Sequence, residues 1–314
     1  MTATPVRLGI TLGDPRGIGP EIVSKALRDP RVGALGAFWQ VIGPSDTGVP
    51  VSVDLGPWRP SGHAADEAAG GRFAGLAVER AARLALGGEL DGIVTAPLDK
   101  AALQAGGYDY PGHTEMLAAL AGVPTTMMLA SDRLRVVLAT THIALREVPG
   151  ALTADVIRQA AATTRAGLRD DFGIAEPRIA LCALNPHAGD HGRFGREDDV
   201  LLTPVARECG LSGPFPADTV FVRALRGEFD AVIAPYHDVG MTAIKVASFG
   251  SAVNVTLGLP FVRTSPDHGT ALDIAGQGVA SAESLVRAMM MAVELVGRRR
   301  TRAEHRTVPP TTQG

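Results

Sequence analysis

The chain has 314 residues, of which 46% are hydrophobic and 20% charged, and its formal net charge is -3. This composition is ordinary for a globular protein, and the small negative charge gives no electrostatic reason to expect a nucleic acid or an anionic membrane as partner. The apolar runs are too short or too interrupted to cross a bilayer.

The N-terminal stretch predicts a β-strand over residues 6–12, so it lacks the basic region and apolar core of a signal peptide. The chain has two isolated cysteines, Cys182 within an apolar strand pattern and Cys209 near the end of a helical pattern. Two such cysteines do not make a disulfide framework. We therefore expect a cytoplasmic protein with reduced cysteines.

Short apolar runs of β type alternate with helical patterns along the chain. The pairs are RLGITLG with EIVSKALRD, DGIVTAP with KAALQAGG, RVVLATTH with TADVIRQAAATTRAGLRDDF, and RIALCALNP with DDVLLTPVARECG, followed by the run DAVIAPYH. This alternation predicts crossover units and a largely parallel sheet. Residues 44–70 are rich in Pro, Gly, Ser and Asp and predict an irregular loop with one short strand. A long helix follows them.

The first strand runs into GDPRGIGPE, residues 13–21. Its three glycines permit a tight turn, and Pro20 with Glu21 suits the first turn of a helix. The spacing matches neither a dinucleotide fingerprint nor a Walker loop. Close backbone packing and contact with a ligand are equally good interpretations of this loop.

The motif YPGHTE places His113 and Thr114 after a Pro-Gly turn and before the apolar helix MLAALAG. Thr114 is interpreted equally well as a plain helix cap. His113, next to a helix N-terminus, is well placed to bind an anion such as phosphate or carboxylate.

Three apolar stretches each end on a histidine: RVVLATTH at His142, RIALCALNPH at His187 and DAVIAPYH at His237. In an open α/β sheet the ligand binds beyond the carboxyl ends of the strands, so three imidazoles can converge there. Three imidazoles suit a divalent metal with an open coordination position. Each histidine alone is better explained as a strand cap or loop residue, but the repeated position favours a metal site. His191 is a second candidate in the loop of His187, although it does not stand at the strand end.

Charged residues accompany these histidines and continue into the densest motif of the chain, residues 254–278. Asp238 adjoins His237 and can orient its imidazole, while Lys245 can meet a phosphate as a point charge. A predicted strand carries Asn254 and leads to Arg263, whose forked guanidinium suits phosphate or carboxylate. The loop after it contains His268, Gly269, Thr270 and Asp273.

The segment HGTALDIAGQGVA resembles the adenosine-binding loop of the isopropylmalate and isocitrate dehydrogenase superfamily. In that superfamily an aspartate at the position of Asp273 is associated with NAD, because a carboxylate accepts a hydrogen bond from a ribose 2′-hydroxyl and repels a 2′-phosphate. Together with GDPRGIGPE, TAPLDK, YPGHTE, TTHIALREVP, LNPHAGDHGRFGRED, PADT, YHDVG and GLPFVRTSPDHGTALDIAG, this segment makes the chain resemble the 4-hydroxythreonine-4-phosphate dehydrogenase family of vitamin B6 biosynthesis. The resemblance runs from about residue 7 to residue 298.

The resemblance implies an α/β fold of the isopropylmalate-dehydrogenase type, with two α/β domains flanking a central cleft, and not a classical Rossmann fold. The first domain is expected to comprise residues 1–125 and 250–298, on the side of the cofactor loop. Residues 126–249 are expected to form the second domain, on the side of the metal and the dimer contact. Residues 299–314 are expected to be a flexible tail.

The resemblance also implies the reaction. NAD and a divalent metal (Zn, Mg or Co) would serve the oxidation of 4-phosphooxy-L-threonine to 2-amino-3-oxo-4-phosphooxybutanoate, which loses carbon dioxide to give 3-amino-2-oxopropyl phosphate. A homodimer with its active site between the subunits is implied as well.

The same resemblance assigns roles to residues. The metal ligands correspond to His142, His187 and His237, the substrate contacts to His113, Thr114, Lys245, Asn254 and Arg263, and the cofactor contacts to His268, Gly269, Thr270 and Asp273. The catalytic proton acceptor is not assigned, and the candidates by residue type are Asp218, Asp238 and Lys100.

Alternative functions use the same residues. Paralogues that oxidise 4-phospho-D-threonate or 4-phospho-D-erythronate also resemble this chain, and more distant ones act on aromatic cis-dihydrodiols. The motif PGHTE with Lys245 and Arg263 favours a phosphorylated substrate. A metal-dependent hydrolase would use the three histidines with water but has no use for an adenosine loop. A non-catalytic sugar-phosphate binding module would bind ligand without turnover.

Overall fold

The computed structural model describes residues 4–307 of the chain. The strands of this part are β1 (Arg7–Thr11), β2 (Phe38–Ser45), β3 (Val53–Pro57), β4 (Gly92–Thr95), β5 (Thr126–Ala130), β6 (Arg135–Leu138), β7 (Ile179–Cys182), β8 (Ser212–Phe215), β9 (Ala231–Ala234), β10 (Val253–Leu257) and β11 (Val262–Ser265).

The helices of the same part are α1 (Gly19–Leu27), α2 (Pro30–Gly33), α3 (Ala65–Leu86), α4 (Lys100–Ala105), α5 (His113–Ala121), α6 (Val148–Ala151), α7 (Ala154–Asp170), α8 (Thr203–Glu208), α9 (Ala217–Leu225), α10 (His237–Ser248) and α11 (Glu283–Thr307). The predicted first strand and the predicted alternation of strands and helices are confirmed. None of these helices is long and apolar enough to cross a membrane.

All the strands belong to one sheet, in the order β3-β2-β1-β4-β11-β10-β5-β6-β9-β7-β8. Pairing is parallel from β3 to β11 and again from β6 to β8, and it is antiparallel between β11 and β10, β10 and β5, and β5 and β6. The sheet thus has two parallel blocks that run in opposite directions, joined by two central strands. The predicted largely parallel α/β sheet is confirmed with this central exception.

The strands in the middle of each block are apolar along their whole length. Every residue of β4, β7 and β9 is buried, as expected where helices cover both faces of a parallel sheet. Because every position of such a strand faces the core, polar side chains appear only where the strand ends. The loops after the strands therefore carry the functional groups.

The stretch over residues 44–70 has the predicted character, with β3 as its one short strand between irregular segments. The long helix was predicted to follow residue 70, but it begins within the stretch, at Ala65. The Asp66 carboxylate accepts hydrogen bonds from the backbone N–H groups of Ser61 and Gly62. These bonds close a turn directly before the first helical turn.

The expected flexible tail over residues 299–314 is wrong for its first part, because α11 continues to Thr307. Arg299 forms an ion pair with the buried Asp171, and Arg300 forms one with Asp91. The basic run is thus held against the body of the protein by carboxylates from distant parts of the chain, which the local pattern does not reveal. Residues 308–314 lie outside the described part of the chain.

The predicted domain limits at 125/126 and 249/250 fall just before β5 and just before β10. Both strands belong to the central antiparallel part of the sheet, which is hydrogen-bonded without interruption across the limits. The division into two domains remains a prediction.

Candidate active site

A cavity of about 370 Å³ lies where the two parallel blocks of the sheet meet. One block contributes the residues that follow β4 and β11, and the other contributes the residues that follow β6 and β9. The N-terminus of α5 and side chains of β5 and β10 complete the lining. The polar residues around it are Thr95, Lys100, His113, Thr114, Glu115, His142, His237, Lys245, Asn254, Arg263, Ser265, Asp267 and His268. All five predicted substrate-binding residues therefore border one cavity.

Arg263 on β11 is the largest fully buried side chain, with 2% of its surface exposed. Its Nη1 donates to the hydroxyl of Thr256 at 2.9 Å and its Nη2 to the hydroxyl of Thr95 at 2.7 Å. Burial lowers the pKa of Arg263 to about 10, so the guanidinium stays protonated at neutral pH. The charge of the Glu115 carboxylate opposes this lowering, but the hydrogen bonds of the guanidinium go to neutral hydroxyls. A buried cation bonded in this way is costly unless an anion binds it directly.

Three buried polar atoms of this site have no hydrogen-bond partner in the described chain: Nε2 of His113, Oδ1 of Asn254 and Nε of Arg263. Buried polar groups are otherwise nearly always paired. Unpaired donors and acceptors around one cavity indicate a polar ligand that completes them. The motif interpretation of these residues as ligand contacts is consistent with this arrangement.

His113 is the first residue of α5, after an extended Gly112 at the N-cap. Thr114 is consequently not the helix cap but the second helical residue. The helix N-terminus opens into the cavity and favours a negatively charged group there. Burial, and then the positive charges of Arg263 and Lys100, lower the pKa of His113 well below its ordinary value. The imidazole is neutral at neutral pH.

This depressed pKa predicts a pH-dependent stability of the ligand-free protein. Because the unfolded chain binds a proton at His113 near pH 6.5 and the folded chain does not, stability is lost as the pH falls below that value. The loss of unfolding free energy from this one group is at most about 1.4 kcal/mol per pH unit.

Urea unfolding between pH 7.5 and 5.5 is expected to show a smaller loss of stability in His113→Gln than in the wild type. The exposed His63 provides the control, since His63→Gln should retain the wild-type dependence. Equal pH dependence in all three proteins would contradict the prediction.

His142 and His237 come together at the cavity. Their ring centroids are 5.3 Å apart, which allows one nitrogen of each ring to reach the same ion at about 2.0–2.1 Å. The Nδ1 of His237 is 2.7 Å from Oδ1 of Asp238, so the carboxylate orients the ring and leaves Nε2 available. Desolvation, and then the charge of Lys100, lower the pKa of His142. The pair fits two ligands of a divalent metal.

His187 does not join this pair within one chain. Its strand, β7, lies beyond β9 in the sheet, and the loop that follows turns away through residues with left-handed backbone angles, His187 itself at φ 53°. The His187 side chain is exposed and lies against Phe194, with ring centroids 6.3 Å apart. In residues 4–307 no three His, Cys, Asp or Glu side chains form a metal-binding group. The expected convergence of three imidazoles is therefore not reached in a single chain.

Two lysines border the cavity from opposite blocks. Lys245 on α10 lies 3.8 Å from the carboxylate of the nearly buried Asp267. Lys100 begins α4, just beyond the end of β4. Arg263 is the third cation at the cavity, and Glu115 and Asp267 are two carboxylates there. The cations outnumber the carboxylates and the N-termini of α5 and α10 add partial positive charge, which suits a negatively charged substrate.

The predicted cofactor loop borders the same cavity at His268 and Gly269. Thr270 is buried, and its carbonyl accepts a hydrogen bond from Ile18 N–H at 2.9 Å. A Cβ at Gly17 would lie 2.7 Å from this carbonyl oxygen, so the glycine there permits close packing of the two loops. Asp273 is exposed beyond the cavity. Of the two interpretations of GDPRGIGPE, close packing explains Gly17.

The candidate proton acceptors separate in space. Lys100 borders the cavity, and Asp238 contacts His237 but is largely exposed. Asp218 is an exposed residue in the first turn of α9, outside the cavity. The sequence interpretation missed Thr95 and Thr256, which hold Arg263, as well as Glu115 and Asp267. Thr95 is the last residue of a predicted strand, in the motif TAPLDK, and a polar residue at a strand end could have identified it as a site residue.

Comparison with known proteins matches residues 47–292 of the chain to the family model described as pyridoxal phosphate biosynthetic protein PdxA. A 4-hydroxythreonine-4-phosphate dehydrogenase of Paracoccus denitrificans is 44% identical over 92% of this chain and 98% of its own length. A Bradyrhizobium diazoefficiens protein provisionally named D-threonate 4-phosphate dehydrogenase is 42% identical over 93% of this chain and 97% of its own length.

Solved structures agree with these sequence relatives. The crystal structure of 4-hydroxythreonine-4-phosphate dehydrogenase from Klebsiella pneumoniae superposes with a TM-score of 0.81 at 37% identity, covering 94% of this chain and 99% of that one. Isocitrate dehydrogenase from Methylococcus capsulatus has the same fold, with a TM-score of 0.50 at 16% identity, over 96% of this chain and 89% of that one. The predicted fold class and family resemblance are confirmed.

Proposed function

The chain belongs to the family of the pyridoxal phosphate biosynthetic protein PdxA, and from this membership we propose that it is an NAD-dependent dehydrogenase of 4-phosphooxy-L-threonine. The hydroxyl at carbon 3 is oxidised to a ketone as a hydride passes to NAD and a proton is released. The resulting 2-amino-3-oxo-4-phosphooxybutanoate loses carbon dioxide to give 3-amino-2-oxopropyl phosphate. The names of the relatives at 44% and 37% identity support this reaction.

The observation that carries the proposal is the buried Arg263, whose guanidinium donates to two hydroxyls and is influenced by the Glu115 carboxylate without a hydrogen bond to it in the described chain. The substrate brings two anions, a phosphate and a carboxylate, and the cavity offers three cations and a helix N-terminus against the two carboxylates of Glu115 and Asp267. We propose that Arg263, Lys245, His113, Thr114 and Asn254 bind these two groups. A charge-assisted bond to Arg263 would complete its unpaired Nε.

We propose that His142 and His237 hold a divalent cation, of which Zn, Mg and Co are the candidates. When bound, such an ion lowers the pKa of an alcohol that it coordinates and stabilises the negative charge left by decarboxylation. Asp238 keeps the His237 ring in the orientation that presents Nε2. The third ligand of the proposed set, His187, then comes from a second subunit, since it lies apart in its own chain.

A homodimer is proposed on the same grounds. Large apolar side chains lie exposed on the elements that carry the histidines, including Ile143, Leu145, Phe194 and Phe249, with Phe249 91% exposed. Exposed apolar groups of this size on neighbouring segments are typical of an interaction surface. A second copy that covered them would bring its own loop 185–195 towards the cavity of the first.

NAD is proposed to lie along the loop over residues 268–278, with its nicotinamide towards the cavity. His268 and Gly269 border the cavity, whereas Asp273 lies farther along the loop and exposes its carboxylate to a ribose. A carboxylate at that place disfavours the 2′-phosphate of NADP. The acceptor of the proton released on oxidation stays unassigned: Lys100 borders the cavity, but it acts there as a cation, and an ammonium group has no lone pair to accept a proton.

A cytoplasmic location is proposed with this function. Both cysteines are free thiols, and burial raises the pKa of Cys182 to about 12. Because a buried thiol of raised pKa is unreactive in any compartment, the proposed location rests on the two unpaired cysteines, which make no disulfide framework.

Oxidation of 4-phospho-D-threonate is the second candidate function, favoured by the Bradyrhizobium relative at 42% identity. NADH formation from 4-phosphooxy-L-threonine, 4-phospho-D-threonate and 4-phospho-D-erythronate separates the candidates. We expect kcat/KM for 4-phosphooxy-L-threonine to exceed the others by about tenfold or more, the range in which one polar group at a buried site discriminates. A preference for the threonate would assign the chain to the paralogous activity. Release of inorganic phosphate without NADH would instead identify a hydrolase.

A further inference from the structure

Glu21 and Lys25 lie one turn apart on α1 and form an ion pair with 2.7 Å between Oε1 and Nζ. Both side chains also bind the backbone of the segment at the end of the predicted cofactor loop. Oε1 of Glu21 accepts from Ala280 N–H at 2.8 Å and Oε2 accepts from Gly278 N–H at 3.2 Å. Nζ of Lys25 donates to the carbonyls of Gly278 at 2.9 Å and Ala280 at 2.7 Å.

The pair therefore satisfies the N–H and C=O groups of two loop residues, as a neighbouring strand would. No residue in the range 266–282 belongs to a helix or strand, so this segment lacks the regular backbone bonds that fix other parts of the chain. Hydrogen bonds with a charged partner are stronger than those between neutral groups. The predicted cofactor loop begins at His268, and its part over residues 270–280 is the part that contacts α1.

The other end of the cofactor loop is tied to the start of the same helix. The carbonyl of Thr270 accepts from the N–H of Ile18, and Gly17 packs directly against it. Leu272, Asp273 and Val279 between the two ends are exposed, with Val279 65% exposed. Apolar packing of Ala271, Ile274 and Ala275 holds part of the loop, turn bonds such as the one from Gln277 to the Asp273 carbonyl stabilise its middle, and the contacts with α1 anchor its two ends.

We propose that Glu21 and Lys25 are positioning residues for the cofactor, because they hold the loop in the conformation that binds the adenosine half of NAD. This inference rests on the proposed function, since it takes NAD as the ligand of the loop. Neither residue borders the central cavity. Their loss should weaken NAD binding and leave binding of the phosphorylated substrate unchanged.

The test compares Glu21→Ala and Lys25→Met with the wild type in calorimetric binding of NAD and in hydrogen exchange of the cofactor loop. We expect the dissociation constant for NAD to rise about tenfold, with faster exchange over residues 270–280. The KM for NAD should rise, whereas kcat and the KM for the phosphorylated substrate should change less than about twofold. Lys25→Arg, which keeps the charge and the donors, should recover most of the affinity.

The matched control is Glu294→Ala on α11, which removes an exposed ion pair of the same spacing with Arg298. It should leave NAD affinity and loop exchange at wild-type values. If the wild type binds NAD and Glu21→Ala binds it with the same affinity, this inference alone is overturned. A wild-type protein that binds no NAD would overturn the proposed function and this inference with it.

Discussion

Replacement of Arg263 by methionine is expected to lower kcat/KM by about 10²- to 10³-fold, the effect of truncating one partner of a buried charge pair. In the ligand-free protein the same change should leave the midpoint of urea unfolding unchanged or raise it. The reason is that the buried guanidinium donates to the hydroxyls of Thr95 and Thr256, and the Glu115 carboxylate acts on it only through its charge, so its desolvation is incompletely compensated in the folded state. Steady-state kinetics and urea titrations measure the two effects.

A contrasting variant makes this prediction specific. Arg135 on β6 lies over the ring of Phe172 at 4.8 Å and donates to the carbonyl of Asp230, outside the cavity. Arg135→Met should therefore lose stability and keep kcat/KM. Arg263→Lys retains the positive charge but lacks the forked guanidinium, so its kcat/KM should lie between those of the wild type and Arg263→Met. If Arg263→Met has wild-type activity, Arg263 does not bind an anion of the substrate and the proposed anion site is wrong.

Alanine at His142, at His187 or at His237 is expected to abolish metal binding and lower activity by about 10³-fold or more, because each variant loses one of three proposed ligands. The His191→Ala variant should keep both its metal content and its activity. Metal content by inductively coupled plasma spectrometry and NADH formation are the measurements. Full metal content in His187→Ala would exclude this residue from the site.

The assembly of the site is tested by heterodimers purified through two different tags. A heterodimer of His187→Ala and His237→Ala subunits is expected to recover about half of the wild-type activity, since one of its two shared sites has every ligand. The control heterodimer of His142→Ala and His237→Ala subunits should stay inactive, because each site then lacks a ligand from the pair that one chain supplies. An inactive first heterodimer would place all three ligands in one subunit.

Strand ends were the most predictable part of this molecule. Buried strands such as β4, β7 and β9 consist of buried residues throughout, so the first polar residues after them mark the edge where ligands bind. The motif PGHTE was identified from a Pro-Gly turn and polar residues before an apolar helix, and the loop after β11 from its resemblance to an adenosine-binding loop. The residues of PGHTE border the cavity, and so do His268 and Gly269 of the loop, whereas Asp273 lies beyond it.

Other features had no local signal. Asp171 and Asp91 hold Arg299 and Arg300 from parts of the chain more than a hundred residues away, and this long-range pairing makes a helix of residues that look like a tail. The hydroxyls of Thr95 and Thr256 contact Arg263 only because β4, β11 and β10 are neighbours in the sheet. The tie between α1 and the cofactor loop spans more than 250 residues.

By itself, the sequence determined the fold class, the family and the set of residue types available for chemistry, because these depend on local hydrophobic period and on motifs. Only the tertiary structure decided which of those residues meet. It brings His142 and His237 together and keeps His187 apart, since strand order and the conformation of the loop after β7 control the position of each imidazole. Convergence is a property of pairing between distant strands, and no spacing along the chain encodes it directly.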